Sequence, residues 1–445
     1  MDHDATGEVT ELLQQLIRNA CVNDGTAESG QEVRSADLLR SYLEGPGLDL
    51  ATYEPTPGRT SLVARIDGSD RSAPSLLLMG HTDVVPANPD GWRRDPFGGE
   101  LVDGEVWGRG AVDMLNLTAS MAVAVKHLAG QGFRPGGTLV YLAVADEEAL
   151  GTHGAEWLTV HERDAVRADY VITESGGIPM PSPSGMKLPV IVGEKGSHWC
   201  RLTVHGTPGH ASQPLRTDNA LVTAAEVVRR IAEFRPPTMI HDVWRSFIEG
   251  MGFPPEMAEP LLDPDRLWDV VQELPMIGLA RQAHACTHTT FAPTIVRGGS
   301  KVNVIPDTVQ LEVDIRTLPG QTGADVEAQV TEILGDLAPL VTVELPTDDP
   351  STTSPAGTPL WDLLQRVSGR LHTGATCVPF LTVGATDARF FRRLGATAYG
   401  YGLFSERIDF DQFASMFHGD DERVDQDSLR LSCELWDGVA REALV

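Results

Sequence analysis

The chain has 445 residues, 41% of them hydrophobic and 22% charged, and 35 Lys and Arg against 63 Asp and Glu leave a net charge of −28. That length exceeds one ordinary core and predicts two domains of a globular protein. The negative balance argues against nucleic acid and anionic membrane as partners; it reads as a solvated acidic surface, with a minor share available as metal-ligand carboxylates.

The five cysteines, Cys21, Cys200, Cys286, Cys377 and Cys433, are scattered and form no CxxC pair. A disulfide framework and a cysteine zinc site are therefore not expected. The start, Met1-Asp2-His3-Asp4, is acidic and carries no apolar signal core. No apolar run approaches the ~20 residues that cross a bilayer. A cytoplasmic location is the expectation.

Residues 8–20 read as a helix with Val9, Leu12, Leu13, Leu16 and Ile17 on one face. Strand-like runs follow at Ser61–Ile66, Ser75–Met79, Thr138–Ala145 and Tyr170–Thr173. Between them Leu115–Leu128 has helical periodicity and stops at Gly130. Alternating strands and helices predict an α/β layer structure: a mixed, mainly parallel sheet between helices. The pattern changes near Gly193. Ser197–His205 alternates, Asn219–Phe234 is an amphipathic helix, and Thr294–Val296, Val302–Ile305 and Val309–Ile315 alternate again before a helix at Gly323–Leu337. This order predicts a small antiparallel sheet with helices on one face, inserted into the larger domain. The expected division is 1–193 with 351–445, and 194–350. Within the insert, Arg235–Thr290 is rich in Pro, Trp and Met and has little clear period; its length suggests a functional segment. From about Pro350 the α/β style returns: a helix (Trp361–Leu371), the turn Gly384-Ala385-Thr386-Asp387, a strand (Thr397–Phe404), the turn His418-Gly419-Asp420-Asp421-Glu422-Arg423, and a terminal helix (Gln426–Leu444).

The chemistry sits at strand ends. The apolar run Leu76–Met79 stops at Gly80 and is followed by His81-Thr82-Asp83. An imidazole at a sheet edge with a carboxylate beside it is how a metal-binding histidine is oriented. Thr138–Ala145 ends in Asp146-Glu147-Glu148, where paired carboxylates are either solvated or divide labour as ligand and general base. Tyr170–Thr173 ends in Glu174. Ligands in open α/β sheets bind beyond the carboxyl ends of strands, and His81, Glu147, Glu148 and Glu174 all lie at that end. Asp113, in Gly108-Arg109-Gly110-Ala111-Val112-Asp113 before a helix, reads either as a ligand or as a simple helix N-cap. His418 alone in its turn reads as a surface histidine.

Taken together, these motifs resemble the zinc aminoacylase and carboxypeptidase family, which includes acetylornithine deacetylase, succinyl-diaminopimelate desuccinylase, aminoacylase and carboxypeptidase S. The matching stretches are Gly80–Pro86, Gly108–Met114, Asp146–Glu148, Glu174–Gly176, Gly206–Ser212, Asn303–Pro306 with Asp314–Arg316, and His418–Arg423, in the family's order along nearly the whole chain. The resemblance implies a phosphorylase/hydrolase-like zinc-peptidase catalytic domain with an inserted α+β lid or dimerisation domain. It implies two zinc ions, with cobalt or manganese as substitutes, bridged by Asp113. One ion would also be held by His81 and Glu174, the other by Glu148 and His418. Asp83 would orient His81, and Glu147 would be general base and acid. His210, from the insert, would polarise the scissile carbonyl. Asn303, Arg316, Gly384 and Thr386 would lie near the substrate's free carboxylate. A cis peptide is implied at Asp113–Met114. The implied substrate is an N-acyl amino acid or a dipeptide, and a homodimer through the lid is a further implication, with Ser197–His205 available as an edge strand.

Two departures stand out. Leu115-Asn116 replaces the Lys-Gly that many members carry, which separates the chain from the deacetylase subgroup. The Arg235–Thr290 segment, with Glu174–Gly177 and Gly299–Asn303, resembles the carboxypeptidase S branch. Its Trp244, Phe247, Met251, Phe253 and Trp268 either wall an apolar substrate pocket or are core and dimer contacts. Two other functions compete with amide hydrolysis of acyl-amino acids: hydrolysis of a non-peptide amide, and a non-catalytic metal-binding relative. The intact Glu147 speaks against the second.

Overall fold

A computed structural model describes residues 3–274 and 277–444. Its centre is a large sheet running in the order Asp49–Thr56, Arg59–Ile66, Leu139–Val144, Leu76–His81, Tyr170–Thr173, Thr397–Gly400, Gly185–Glu194 and Thr352–Thr353, with Thr376–Thr382 and Met180–Ser182 also paired to Gly185–Glu194. Leu76–His81 pairs in parallel with Leu139–Val144 on one side and Tyr170–Thr173 on the other. The carboxyl ends of these three strands therefore open on the same edge.

Both faces of that sheet are covered, which is why the strands read as continuous apolar runs. Leu76, Leu78, Leu139, Tyr141 and Ala143 point into a core with the helices His3–Asn19, Leu115–Gly130 and Gln426–Ala443. Leu77, Met79, Val140, Leu142 and Val144 point the other way, against Ala155–His161 and Ala388–Arg393. The period-2 alternation of a strand assigns each residue to one layer. Gly80 is required by close packing: a Cβ there would lie 2.4 Å from the Thr118 hydroxyl oxygen, and that hydroxyl donates to the His81 carbonyl at 2.8 Å.

The chain leaves this sheet at Glu194 and starts a second one at Gly196. The second sheet is antiparallel, in the order Thr290–Gly298, Thr308–Thr317, Gly196–His205, Val341–Glu344. Ala220–Glu233 and Gly323–Leu334 close its core with Leu202, Val204, Val309 and Leu311. Gly196–His205 is an inner strand, paired along its length with Thr308–Thr317 and over Arg201–Val204 with Val341–Glu344. The expectation that it forms a sheet edge is corrected here: its alternation marks one exposed face, not a free edge. The strands at the two ends of this sheet are Thr290–Gly298 and Val341–Glu344.

The segment with no clear period contains four short helices, Asp242–Met251, Pro255–Leu261, Leu267–Glu273 and Ile277–Thr287. Gly252 in the left-handed region (φ 65°) ends the first and Pro255 opens the second. Trp244, Phe247, Ile248 and Met251 are buried against Ile191, Val378, Phe380 and Leu381 of the large sheet. They are core. Other differences concern lengths: the strand expected at Thr397–Phe404 stops at Gly400, and that at Val302–Ile305 keeps only Val304 and Ile305.

Candidate metal centre

His81 is the last residue of its strand, Glu174 follows Thr173 directly, and Glu147 and Glu148 lie in the turn after Val144. Asp113 comes to the same edge from the loop before Leu115–Gly130. That helix is capped by Met114, with no side-chain cap bond, so Asp113 is not an N-cap. The Asp113–Met114 peptide is cis.

One Asp113 oxygen lies 3.3 Å from His81 Nε2 and the other 3.2 Å from His418 Nε2. Glu174 is 3.6 Å from the same His81 nitrogen, and Glu148 is 3.3 Å from the His418 nitrogen. Two groups result, His81–Asp113–Glu174 and Asp113–Glu148–His418, each with donor atoms within 4.8 Å of one another. They share Asp113. Imidazole and carboxylate donors are what zinc, cobalt and manganese take. The buried Glu148 Oε1 has no hydrogen-bond partner among the described residues, which fits a donor kept for an ion.

The electrostatics are those of a site for positive charge. Burial works against a charged His81, but the hydrogen bonds its ring donates to the Asp113 and Glu174 carboxylates outweigh it and raise the ring well above its ordinary range. Hydrogen bonds to Asp113 and Glu148 lift His418 to about 10. Burial, then the nearby charge of Glu174, pushes Glu147 well above the usual carboxylate range, and burial raises Glu174 to about 7. The charges that act on Glu147 are those of Glu174, His81, Asp387 and Glu148.

Residues without an evident motif hold the turns. Asp146 and Ser175 sit in the left-handed region, φ 70° and 72°, a conformation that surrounding contacts must maintain. The Asp83 carboxylate accepts the amides of Glu147 (3.3 Å) and Glu148 (3.1 Å) and the Asn23 side-chain amide (2.9 Å). Asn23 also reaches Asp146 and accepts from Arg59, which pairs with buried Glu32 at 2.7 Å. Asn23, Glu32 and Arg59 lie far from any motif in sequence, and neither Glu32 nor Arg59 stands in an apolar run that would mark a buried charge. Asp387 is fully buried, neither of its oxygens has a partner among the described residues, and burial raises it to about 8.

Among the described residues the remaining candidates make no hydrogen bond or ion pair to this cluster. His210 is exposed on the short strand Gly209–His210, and among the described residues its ring bonds only to Ser212. Asn303 is exposed beside it, its carbonyl accepting the Ala211 amide. Arg316 is paired to Asp314 at 2.7 Å. Gly384 is exposed, whereas Thr386 is buried and bonded through both its amide and hydroxyl to Glu194.

The profile of peptidase family M20/M25/M40 matches residues 77–442. The chain belongs to this family. It is similar to the human N-fatty-acyl-amino acid synthase/hydrolase PM20D1, 30% identical over 81% of this chain and 72% of that one. It is similar to mouse aminoacylase-1, 25% identical over 96% of this chain and 93% of that one. In fold it is similar to the M20 metallo-carboxypeptidase Sso-CP2 from Sulfolobus solfataricus, TM-score 0.73 at 18% identity, covering 100% and 99% of the two chains. This M20 chain is accordingly a metal-dependent hydrolase, and among its described residues no helix is long and apolar enough to cross a membrane.

Proposed function

We propose that this protein is a dinuclear zinc hydrolase that cleaves the amide of an N-acyl amino acid or the peptide bond of a dipeptide, next to a free carboxylate. The observation that carries the reading is the sharing of Asp113 between two donor groups, with Glu147 unligated beside them. His81, Asp113 and Glu174 would hold one ion, and Asp113, Glu148 and His418 the other. When bound, the ions would lower the pKa of a water to near neutrality and polarise the carbonyl.

The protein's own residues do the rest. Glu147 takes the water's proton on its carboxylate and delivers it to the leaving nitrogen. Its raised proton affinity suits both transfers. Asp83, through the Glu147 and Glu148 amides, fixes the base relative to the ligand next to it. The His210 ring, on the short pair Gly209–His210 with Val304–Ile305, donates to the developing oxyanion. Arg316 on Thr308–Thr317 and Asn303 just before Val304 recognise the free carboxylate. Gly384 leaves room at the turn, and the Thr386 amide and hydroxyl brace that turn through Glu194. The names of PM20D1 and aminoacylase-1 favour acyl-amino acids over dipeptides.

His210 faces solvent, which supports a homodimer in which the ring of one copy completes the centre of the other. The outer strand Thr290–Gly298, with Ile295 and Val296 exposed, is the edge available for that contact. Tests use N-acyl amino acids of increasing acyl length, dipeptides, and the same compounds with the carboxylate blocked as a methyl ester. Release of free amino acid from the acids but not the esters supports the reading. Hydrolysis only of the esters, or of amides without a carboxylate, favours the non-peptide amide instead.

A further inference from the structure

Glu422 lies four residues beyond His418 and is fully buried, yet it is no candidate ligand. Its carboxylate is saturated by the other ligand loop. One oxygen accepts the Val112 amide at 2.7 Å and the Asp113 amide at 3.0 Å. The other accepts the Gly110 amide at 3.0 Å and Arg109 Nη1 at 2.9 Å. The Glu422 carbonyl accepts the Gly108 amide at 2.9 Å. Arg109 completes the tie by donating from Nη2 to the His418 carbonyl at 3.4 Å.

The loop before Asp113 thus presents three amides to a single anion, an arrangement of backbone donors that binds carboxylates and phosphates. The turn around Glu422 needs such a hold, because His418 and Asp421 are both in the left-handed region, φ 56° and 58°. We infer that Glu422 is a positioning residue that fastens the Asp113 loop to the His418 loop and so sets the second metal position. This rests on the two-metal reading above. His81 and Glu174 sit on strand ends that Glu422 does not touch, so the first position depends on it only through Asp113. The second position depends on it through Asp113 and His418 together.

The acceptor chemistry is specific. A glutamine at this position keeps one oxygen and turns an NH2 toward N–H donors that then lack an acceptor. The test titrates zinc into the metal-free full chain against a chromophoric chelator and records apo-protein thermal unfolding alongside. Wild type should take two ions. Glu422→Gln should keep the first ion within a few-fold and lose about 10- to 100-fold in affinity for the second, as removal of a ligand's support does elsewhere. Glu422→Asp, which keeps both oxygens, should recover part of that loss and serves if the glutamine variant does not fold. Two wild-type affinities in a folded Glu422→Gln, or equal weakening of both, overturns the inference. Wild-type protein that takes fewer than two ions overturns the two-metal reading instead, and this inference with it.

Discussion

His81 and Asp83 are joined through the main chain: His81 Nδ1 lies 2.9 Å from the Asp83 carbonyl oxygen and 3.6 Å from its nearest carboxylate oxygen. The carbonyl accepts the ring's proton and leaves Nε2 free to face Asp113. The Asp83 carboxylate is then available to the Glu147–Glu148 turn. Replacing Asp83 with Asn should therefore disturb the base more than the first metal. The expected result is a kcat reduced about 10- to 100-fold, with the higher of the two zinc affinities close to wild type, since support of this kind is worth that much where it is lost. Parallel kinetics and zinc titration check it. Loss of the tighter site with kcat retained would show that the carboxylate orients His81 after all.

His210 reports on assembly. His210→Ala and Glu147→Gln proteins should each be nearly inactive. If each centre takes its imidazole from a second copy, mixing them with subunit exchange should restore about one quarter of wild-type activity, because half the dimers are mixed and each of those has one complete centre. The measurement is initial rate against mixing ratio, with mass in solution recorded alongside. A mixture no more active than its components argues for action within one chain.

Lys195, at the crossing between the two sheets, is buried and donates to the Ala285 and His288 carbonyls, both at 2.7 Å. Burial lowers its pKa from 10.5 to about 7. Above the folded value the unfolded chain holds a proton that the folded chain has released, so stability rises with pH from about 7 to about 10.5 by up to ~1.4 kcal/mol per unit. Below about 7 both states are charged and the full cost of the buried ammonium is present. Burial-raised carboxylates such as Glu174 and Asp387 act oppositely, and at lower pH. Urea unfolding of wild type and Lys195→Met at about pH 8 and 10 isolates the lysine's slope. Equal slopes in the two proteins refute the assignment.

Phe247 separates core from pocket. Its ring packs edge-on against Phe380 with centroids 4.9 Å apart, and it is buried. Phe247→Ala should cost about 3–5 kcal/mol of stability as a core cavity does. KM for a long-chain acyl-amino acid should change little at a temperature where the variant stays folded. A large rise in KM without loss of stability would make this segment a substrate wall.

The candidate ligands His81, Glu148 and Glu174 are legible because each follows an apolar run at a strand end, with Glu147 beside them. The family pattern was needed for Asp113 and His418, whose loops meet only in three dimensions. What holds the ligands was hidden for the same reason. Asn23 and Asp83, or Glu422 and Asp113, are distant in sequence, and a buried carboxylate in a polar turn carries no periodic signal. The helices of 242–287 are short and interrupted at Gly252, Pro254 and Pro255, yet Trp244, Phe247, Ile248 and Met251 do recur at helical spacing, a signal hidden by the irregular composition around it. The direction of Gly196–His205 alternation was read correctly, but alternation reports which faces are exposed and says nothing about which edges are paired.

The most direct test of the account compares wild type with Glu147→Gln for release of free amino acid from an N-acyl amino acid, on samples whose zinc content is measured in the same preparation. The account predicts two zinc ions in both proteins and a kcat at least about 100-fold lower in the variant, the scale of a lost general base. Two ions in both proteins with equal turnover, or no turnover in fully loaded wild type, would contradict it.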